Sequence, residues 1–139
     1  MTGPGLRAGD AAPPLERTMH LADMVAYAGA TWDWHRLHYD SAWLAERGIP
    51  APVVDGQMFG ALLAQQLQDW CGPDARLEGL RFRFKNLVYA GETVRCSATV
   101  TAVEARDGHS LVRVDCRIDV LGEDARVAVA PASAEVRFL

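Results

Sequence analysis

From residue 80 to the C-terminus, apolar and polar side chains alternate. Leu80, Phe82 and Phe84 stand against Arg81, Arg83 and Lys85. A period of two puts successive side chains on opposite faces of an extended chain, so this stretch predicts strands over 80–88, 92–105, 109–121 and 125–139. The separators "YAG", "RDG" and "GED" are short and carry turn residues, so neighbouring strands are expected to pair antiparallel. Arg81, Arg83 and Lys85 share one face of their strand and read as a solvated face.

Upstream the period is helical. Leu21, Met24, Val25 and Ala28 fall at i, i+3, i+4 and i+7, predicting a helix over 21–30. "DSAWLAERG" predicts a short helix capped by Asp40 or Ser41 and ended by Gly48. The prolines of "IPAPVV" make it an extended connector. Residues 55–72 predict the longest helix, with Met58, Phe59, Leu62, Leu63 and Leu67 as its large apolar groups and Gly72-Pro73 as its stop. Gly56, Gly60 and Ala64 add a second stripe almost without side chains. A helix apolar or small around most of its circumference belongs inside other elements. That small stripe reads first as close helix–sheet packing and, more sharply, as room for a wide ligand. With an early strand near 15–20, the layout is α+β: an antiparallel five-stranded sheet wrapped around a long central helix. A sheet edge left open would be paired in a dimer. Residues 1–16, rich in Gly, Pro and Ala, form a flexible N-terminal segment in this reading, and 17–139 a single domain.

Composition narrows the function. The 139 residues, 50% hydrophobic, suffice for one core without a covalent staple. A net charge of −4 speaks against a general nucleic-acid binder, though not against a small anionic ligand. Three cysteines without C-x-x-C spacing argue against a disulfide framework or zinc ribbon; Cys96 and Cys116 read as small buried hydrophobes. No apolar run resembles a signal peptide or a membrane span, so a cytoplasmic location is expected.

The chemistry concentrates in "ATWDWHRLHYD", Ala30 to Asp40. Asp33, His35, His38 and Asp40 are all potential metal ligands, but their spacing is no known zinc pattern, and no metal is expected. The alternative is an acid/base pair. Asp33 and His38 are too far apart to be neighbours on one helix face, yet a loop crossing a pocket can point both inward around one water. That arrangement suits addition of water to a carbon–carbon double bond, or its removal.

These residues resemble the MaoC-like (R)-specific enoyl-CoA hydratases of the hotdog superfamily, whose signature is roughly Gly-Asp-x-Asn-Pro-apolar-His-x-Asp/Glu. Here it reads Asp33-Trp34-His35-Arg36-Leu37-His38-Tyr39-Asp40, after a matching Ala26-Tyr27 and Thr31. "VVDGQMFGALLA" is similar to the family's "VVHGMLTAALL", and "LVYAGETV" to its "PVxxGDTV". The resemblance runs from about Gly9 to the C-terminus. It implies a hotdog fold and (R)-specific hydration of trans-2-enoyl thioesters, or the reverse dehydration of (3R)-3-hydroxyacyl thioesters. The catalytic pair would be Asp33 and His38, with the Gly56 N–H on the thioester oxygen. His35, Arg36, Asp55 and Gln57 become candidate contacts to substrate or coenzyme A, although Arg36 could equally pair with Asp40. No cofactor is implied beyond coenzyme A or acyl carrier protein as the substrate's carrier. A homodimer, or a heterodimer with another hotdog chain, is expected.

The departures are Trp32 for the family Gly, His35-Arg36 for Asn-Pro, Asp55 for the His before Gly56, and Ala64 where many relatives carry Ser. "HRLHYD" resembles mitochondrial 3-hydroxyacyl-thioester dehydratases and mesaconyl-CoA hydratases. "QDWCGPDARL" is similar to the small MaoC-like subunit of steroid side-chain hydratases. A hotdog thioesterase is the competing enzyme, but it usually needs a carboxylate on the central helix, where this chain offers Gln65 and Gln66. A MaoC-like subunit that needs a partner chain is the alternative from another class.

Overall fold

A computed structural model describes residues 5–139. Five antiparallel strands, β1 (Leu15–Thr18), β2 (Ala75–Phe84), β3 (Thr93–Arg106), β4 (His109–Val120) and β5 (Arg126–Phe138), form one curled sheet in the order β1-β3-β4-β5-β2. Helix α3 (Gly56–Cys71) packs against its inner face. Helices α1 (Leu21–Thr31) and α2 (Ser41–Ala45) flank a single 3-10 turn, Arg36–His38.

The alternation read from the sequence is what buries the sheet's inner face. Val94, Cys96, Ala98 and Val100 on β3, and Val112, Val114, Cys116, Ile118 and Val120 on β4, join Phe59, Leu62, Leu63 and Leu67 of α3 in one core. Cys96 and Cys116 are buried and free, and burial pushes each thiol up to about 12. Gln66 is the polar residue within this core. Its side-chain amide donates to the carbonyls of Pro13 and Cys96, both at 3.0 Å, tying the N-terminal strap and β3 to the helix. The strap itself is extended and pinned to β3: Gly9 N–H donates to Val100 O at 2.8 Å and Ala12 N–H to Ala98 O at 2.9 Å.

Three expectations need correction. The strand expected over 80–88 is β2 and runs over 75–84, displaced towards the helix that precedes it. Secondly, "YAG" does not close a hairpin between β2 and β3, which lie at opposite sides of the sheet. Residues 85–92 cross the N-terminal end of α3 instead. Their hydrogen bonds go to the connector and β1 end, with Val54 N–H donating to Val88 O at 2.8 Å, Ala90 N–H to Pro52 O at 2.8 Å and Gly91 N–H to Met19 O at 2.8 Å. "RDG" and "GED" do join paired neighbours. Thirdly, the α1 stripe splits. Met24 and Ala28 are buried, whereas Leu21 and Val25 face outward, because α1 lies on the rim rather than under the sheet.

The small stripe of α3 is filled by the sheet. A β-carbon on Gly56 would stand 2.2 Å from the Phe84 ring, and one on Gly60 would stand 2.9 Å from that of Phe82. The two glycines therefore admit aromatic rings from β2 rather than leaving an empty groove.

Candidate active site

The opening polar stretch is built by local backbone chemistry. Helix α1 ends at Trp32, which is left-handed (φ 58°), a conformation glycine holds most easily. Trp32 accepts it with its ring edge-on to Trp34, centroids 5.9 Å apart. The turn brings Asp33 off the helix end, its N–H donating to Ala28 O at 3.0 Å and its Oδ1 accepting the His35 N–H at 3.3 Å. His35 then caps the 3-10 turn, its Nδ1 accepting the Leu37 N–H at 3.0 Å. Arg36 pairs with Asp40 at 2.8 Å. The Asp40 carboxyl is held below its usual value, chiefly by the Trp43 N–H of the α2 cap and next by Arg36. Both His35 and Arg36 are thus committed to local structure.

His38 is oriented by a longer-range bond. Its Nδ1 lies 2.7 Å from the Val53 carbonyl. A carbonyl only accepts, so Nδ1 carries the hydrogen, and in the neutral ring Nε2 is left as a bare acceptor. Nε2 faces Asp33 Oδ2 across 4.0 Å, beyond a direct hydrogen bond. The gap matches the place of one small molecule held between acceptors.

The connector brings in the second half. Val53 N–H donates to Leu37 O at 3.0 Å, fixing the connector on the 3-10 turn. Asp55 follows as the N-cap of α3, its Oδ1 accepting the Gln57 N–H at 2.9 Å. Gly56 opens the helix, where N–H groups lack intrahelical partners and partial positive charge accumulates. Gln57 meets the site through its backbone; its side chain is exposed. Asp33, His38 and Asp55 each place one N or O atom within 4.8 Å of the others. Tyr27 of α1 stands nearby; its hydroxyl is pushed up by partial burial and, secondly, by the negative charge of Asp55.

Beside His38 opens an apolar cavity of about 190 Å3, walled by Leu37, Val54, Gly56, Phe59, Phe84 and Leu87. Phe84 and Leu87 remain 60% and 56% exposed, so the cavity has a greasy, open mouth. Asp33 is half exposed as well. Sequence reasoning missed Phe84 and Val53 as parts of this site. The period-two alternation did place Phe84 on the inward face, but nothing in the sequence marked the carbonyl of Val53.

Residues 8–120 match the family model described as MaoC like domain. The chain belongs to the MaoC-like dehydratase family. It is similar to an (R)-specific enoyl-CoA hydratase of Aeromonas caviae, 30% identical over 112 residues that cover 78% of this chain and 80% of the relative. The 3-oxo-4,17-pregnadiene-20-carboxyl-CoA hydratase beta subunit of Mycobacterium tuberculosis is 31% identical over 106 residues, 76% of this chain and 80% of that one. Among solved structures, the (R)-hydratase from A. caviae involved in PHA biosynthesis superposes with a TM-score of 0.86 at 25% identity, covering 97% of this chain and 98% of its own. The curled five-stranded sheet is thereby a hotdog fold, as the motif resemblance implied.

Proposed function

We propose that this MaoC-like chain adds water to trans-2-enoyl thioesters to give (3R)-3-hydroxyacyl thioesters, and catalyses the reverse dehydration. The observation that carries the reading is the 4.0 Å gap between Asp33 Oδ2 and His38 Nε2, with His38 held by Val53 in the tautomer that leaves Nε2 free to accept. A water in that gap donates one hydrogen to Nε2 and the other to Asp33, which turns a lone pair towards the substrate. As oxygen bonds to C3, its proton passes to Nε2 and electron density moves onto the thioester oxygen. The Gly56 N–H at the start of α3 stabilises that oxygen. The proton on Nε2 then goes to C2 on the same face. One water is consumed and both side chains return to their starting state. In this assignment His38 is the base and Asp33 the orienting acceptor.

The acyl chain enters the cavity between Phe84 and Phe59. Similarity to the A. caviae hydratase supports coenzyme A as a carrier. Similarity to a hydratase beta subunit supports a second hotdog chain as partner. The half-exposed Asp33 and open cavity mouth favour such a cover, because a hydration site works best when bulk water is excluded. A thioesterase is disfavoured: Gln66, in the middle of α3, is buried and occupied by two backbone carbonyls.

The test follows loss of enoyl-thioester absorbance with short, medium and bulky trans-2-enoyl-CoAs, for wild type, Asp33→Asn and His38→Gln. Each variant is expected to lose about 10²–10⁴ in rate, the usual worth of acid/base catalysis. Release of free coenzyme A by the wild type, or full hydration by both variants, refutes the proposal.

A further inference from the structure

Asp55 does more in this fold than capping requires. One oxygen accepting the Gln57 N–H satisfies the helix start, and serine or asparagine would do so about as well. Yet an oxygen of Asp55 lies within 4.8 Å of both a carboxylate oxygen of Asp33 and a ring nitrogen of His38. Two acceptors bridged by one bent water stand about 4.5 Å apart, twice a 2.8 Å hydrogen bond folded at the water's angle. The 4.0 Å between Asp33 and His38 Nε2, and separations of no more than 4.8 Å from Asp55, leave a place for a single water among the three. The position of Asp55 is firmly set, since the connector is bonded to Leu37 on one side and Val88 on the other, and takes the His38 Nδ1–H on Val53 O.

We propose that Asp55 is a third ligand of the reacting water and hence a further catalytic residue of the hydration proposed above, on which this inference rests. A water has two hydrogens. One goes to His38 Nε2, and the other is shared between the carboxylates of Asp33 and Asp55. When the water's O–H bond breaks and its O–C3 bond forms, the proton on Nε2 makes an imidazolium facing two carboxylates instead of one. Opposite charges a few ångströms apart at a partly buried site stabilise that charge more than they would in bulk water. The proton then leaves Nε2 for C2, and Asp55 ends as it began, an unprotonated acceptor. Its contribution falls on the transition state, where the imidazolium exists, and little on substrate binding.

The test compares the full chain with Asp55→Asn, Asp55→Ser and Asp33→Asn, using a short trans-2-enoyl-CoA, and records kcat, KM and Tm. Asn and Ser both cap a helix, so Tm is expected to stay within about 2 °C of wild type. The kcat of both Asp55 variants should fall about 10- to 100-fold, below the loss from Asp33→Asn, with KM within about twofold. A wild-type kcat in Asp55→Asn, beside an inactive Asp33→Asn, overturns the role of Asp55 and leaves the hydratase reading standing. A raised kcat would mean that the charge opposes the developing enolate, and overturns it too. Loss of folding in both Asp55 variants reduces the residue to its cap. A wild type without hydratase activity removes both proposals together.

Discussion

Gly56 is the position where fold and site meet most tightly, and Gly56→Ala tests that meeting. The new methyl would stand 2.2 Å from Cζ of Phe84 and 2.5 and 2.9 Å from its Cε atoms, far inside contact distance. The ring must leave, and because it is already 60% exposed it has somewhere to go. Overpacking typically costs about 1–3 kcal/mol, and an outward path puts this case at the lower end. Alanine recovers part of that, up to about 1 kcal/mol within a helix and less in its first turn. The net expectation is a loss of about 1 kcal/mol, or about 3–5 °C in Tm for a chain of this size. In a Phe84→Ala background the clash has no second party, and Gly56→Ala should be neutral or slightly stabilising. Thermal and urea unfolding of the wild type, both single variants and the double variant gives the coupling directly. Gly60→Ala, whose methyl would meet Phe82 at 2.9 Å, is the control that Phe84→Ala should not rescue. A Gly56→Ala cost that is the same in both backgrounds, within about 0.3 kcal/mol, refutes the claim that Phe84 is what requires glycine there.

Two further outcomes are expected. The carboxyl of Glu92 is held below its ordinary value of 4.5, first by its hydrogen bonds from Arg126 and also by the Tyr89 N–H. A depressed value means stability fully present above the ordinary glutamate range and lost as pH falls through the folded value. Glu92→Gln should therefore lower Tm by about 3–5 °C at pH 7 and by progressively less as pH falls below the ordinary glutamate range; an equal deficit throughout would show that the ion pair is not the cause. Because Asp33, His38 and Asp55 also have the donor set of a weak metal site, hydration should be measured after exhaustive chelation. An unchanged rate is expected, and a loss restored by a divalent cation would reassign those three residues as ligands.

The parts of the fold set by local periodicity were legible. Strands β3, β4 and β5 follow from alternation along most of their length, interrupted at a few irregular positions, and α3 from its apolar faces and the Gly72-Pro73 stop, because the same side chains both set the period and fill the core. The partner of β2 was not. Gly91 made "YAG" look like a hairpin, but whether strands joined by a short turn pair depends on where the chain is already held. Here Ala90 and Gly91 are held by the Pro52 and Met19 carbonyls, not by a β2–β3 ladder. The start of β2 was lost for a related reason: "ARLEG" pairs with the end of β5, and its residues are only partly buried, so its alternation is faint.

The site divides in the same way. Asp33 and His38 could be named from their types and spacing, since a short loop between two helices limits where they can be. Their 4.0 Å separation and the state of the imidazole could not, because both depend on Val53, a residue whose side chain says nothing about its carbonyl. In sequence Asp55 reads as a candidate contact to substrate or coenzyme A, standing where the family has His before the glycine. Only the connector's bonds to Leu37 and Val88 swing it against the pair. Phe84 looked like one apolar residue in an alternating strand, yet its ring explains Gly56, walls the cavity and leaves its mouth open. Side-chain chemistry in a sequence thus nominates the reacting groups. The backbone groups that aim them come from tertiary pairing, and here those are the carbonyls of Val53, Leu37 and Val88, which no side chain marks.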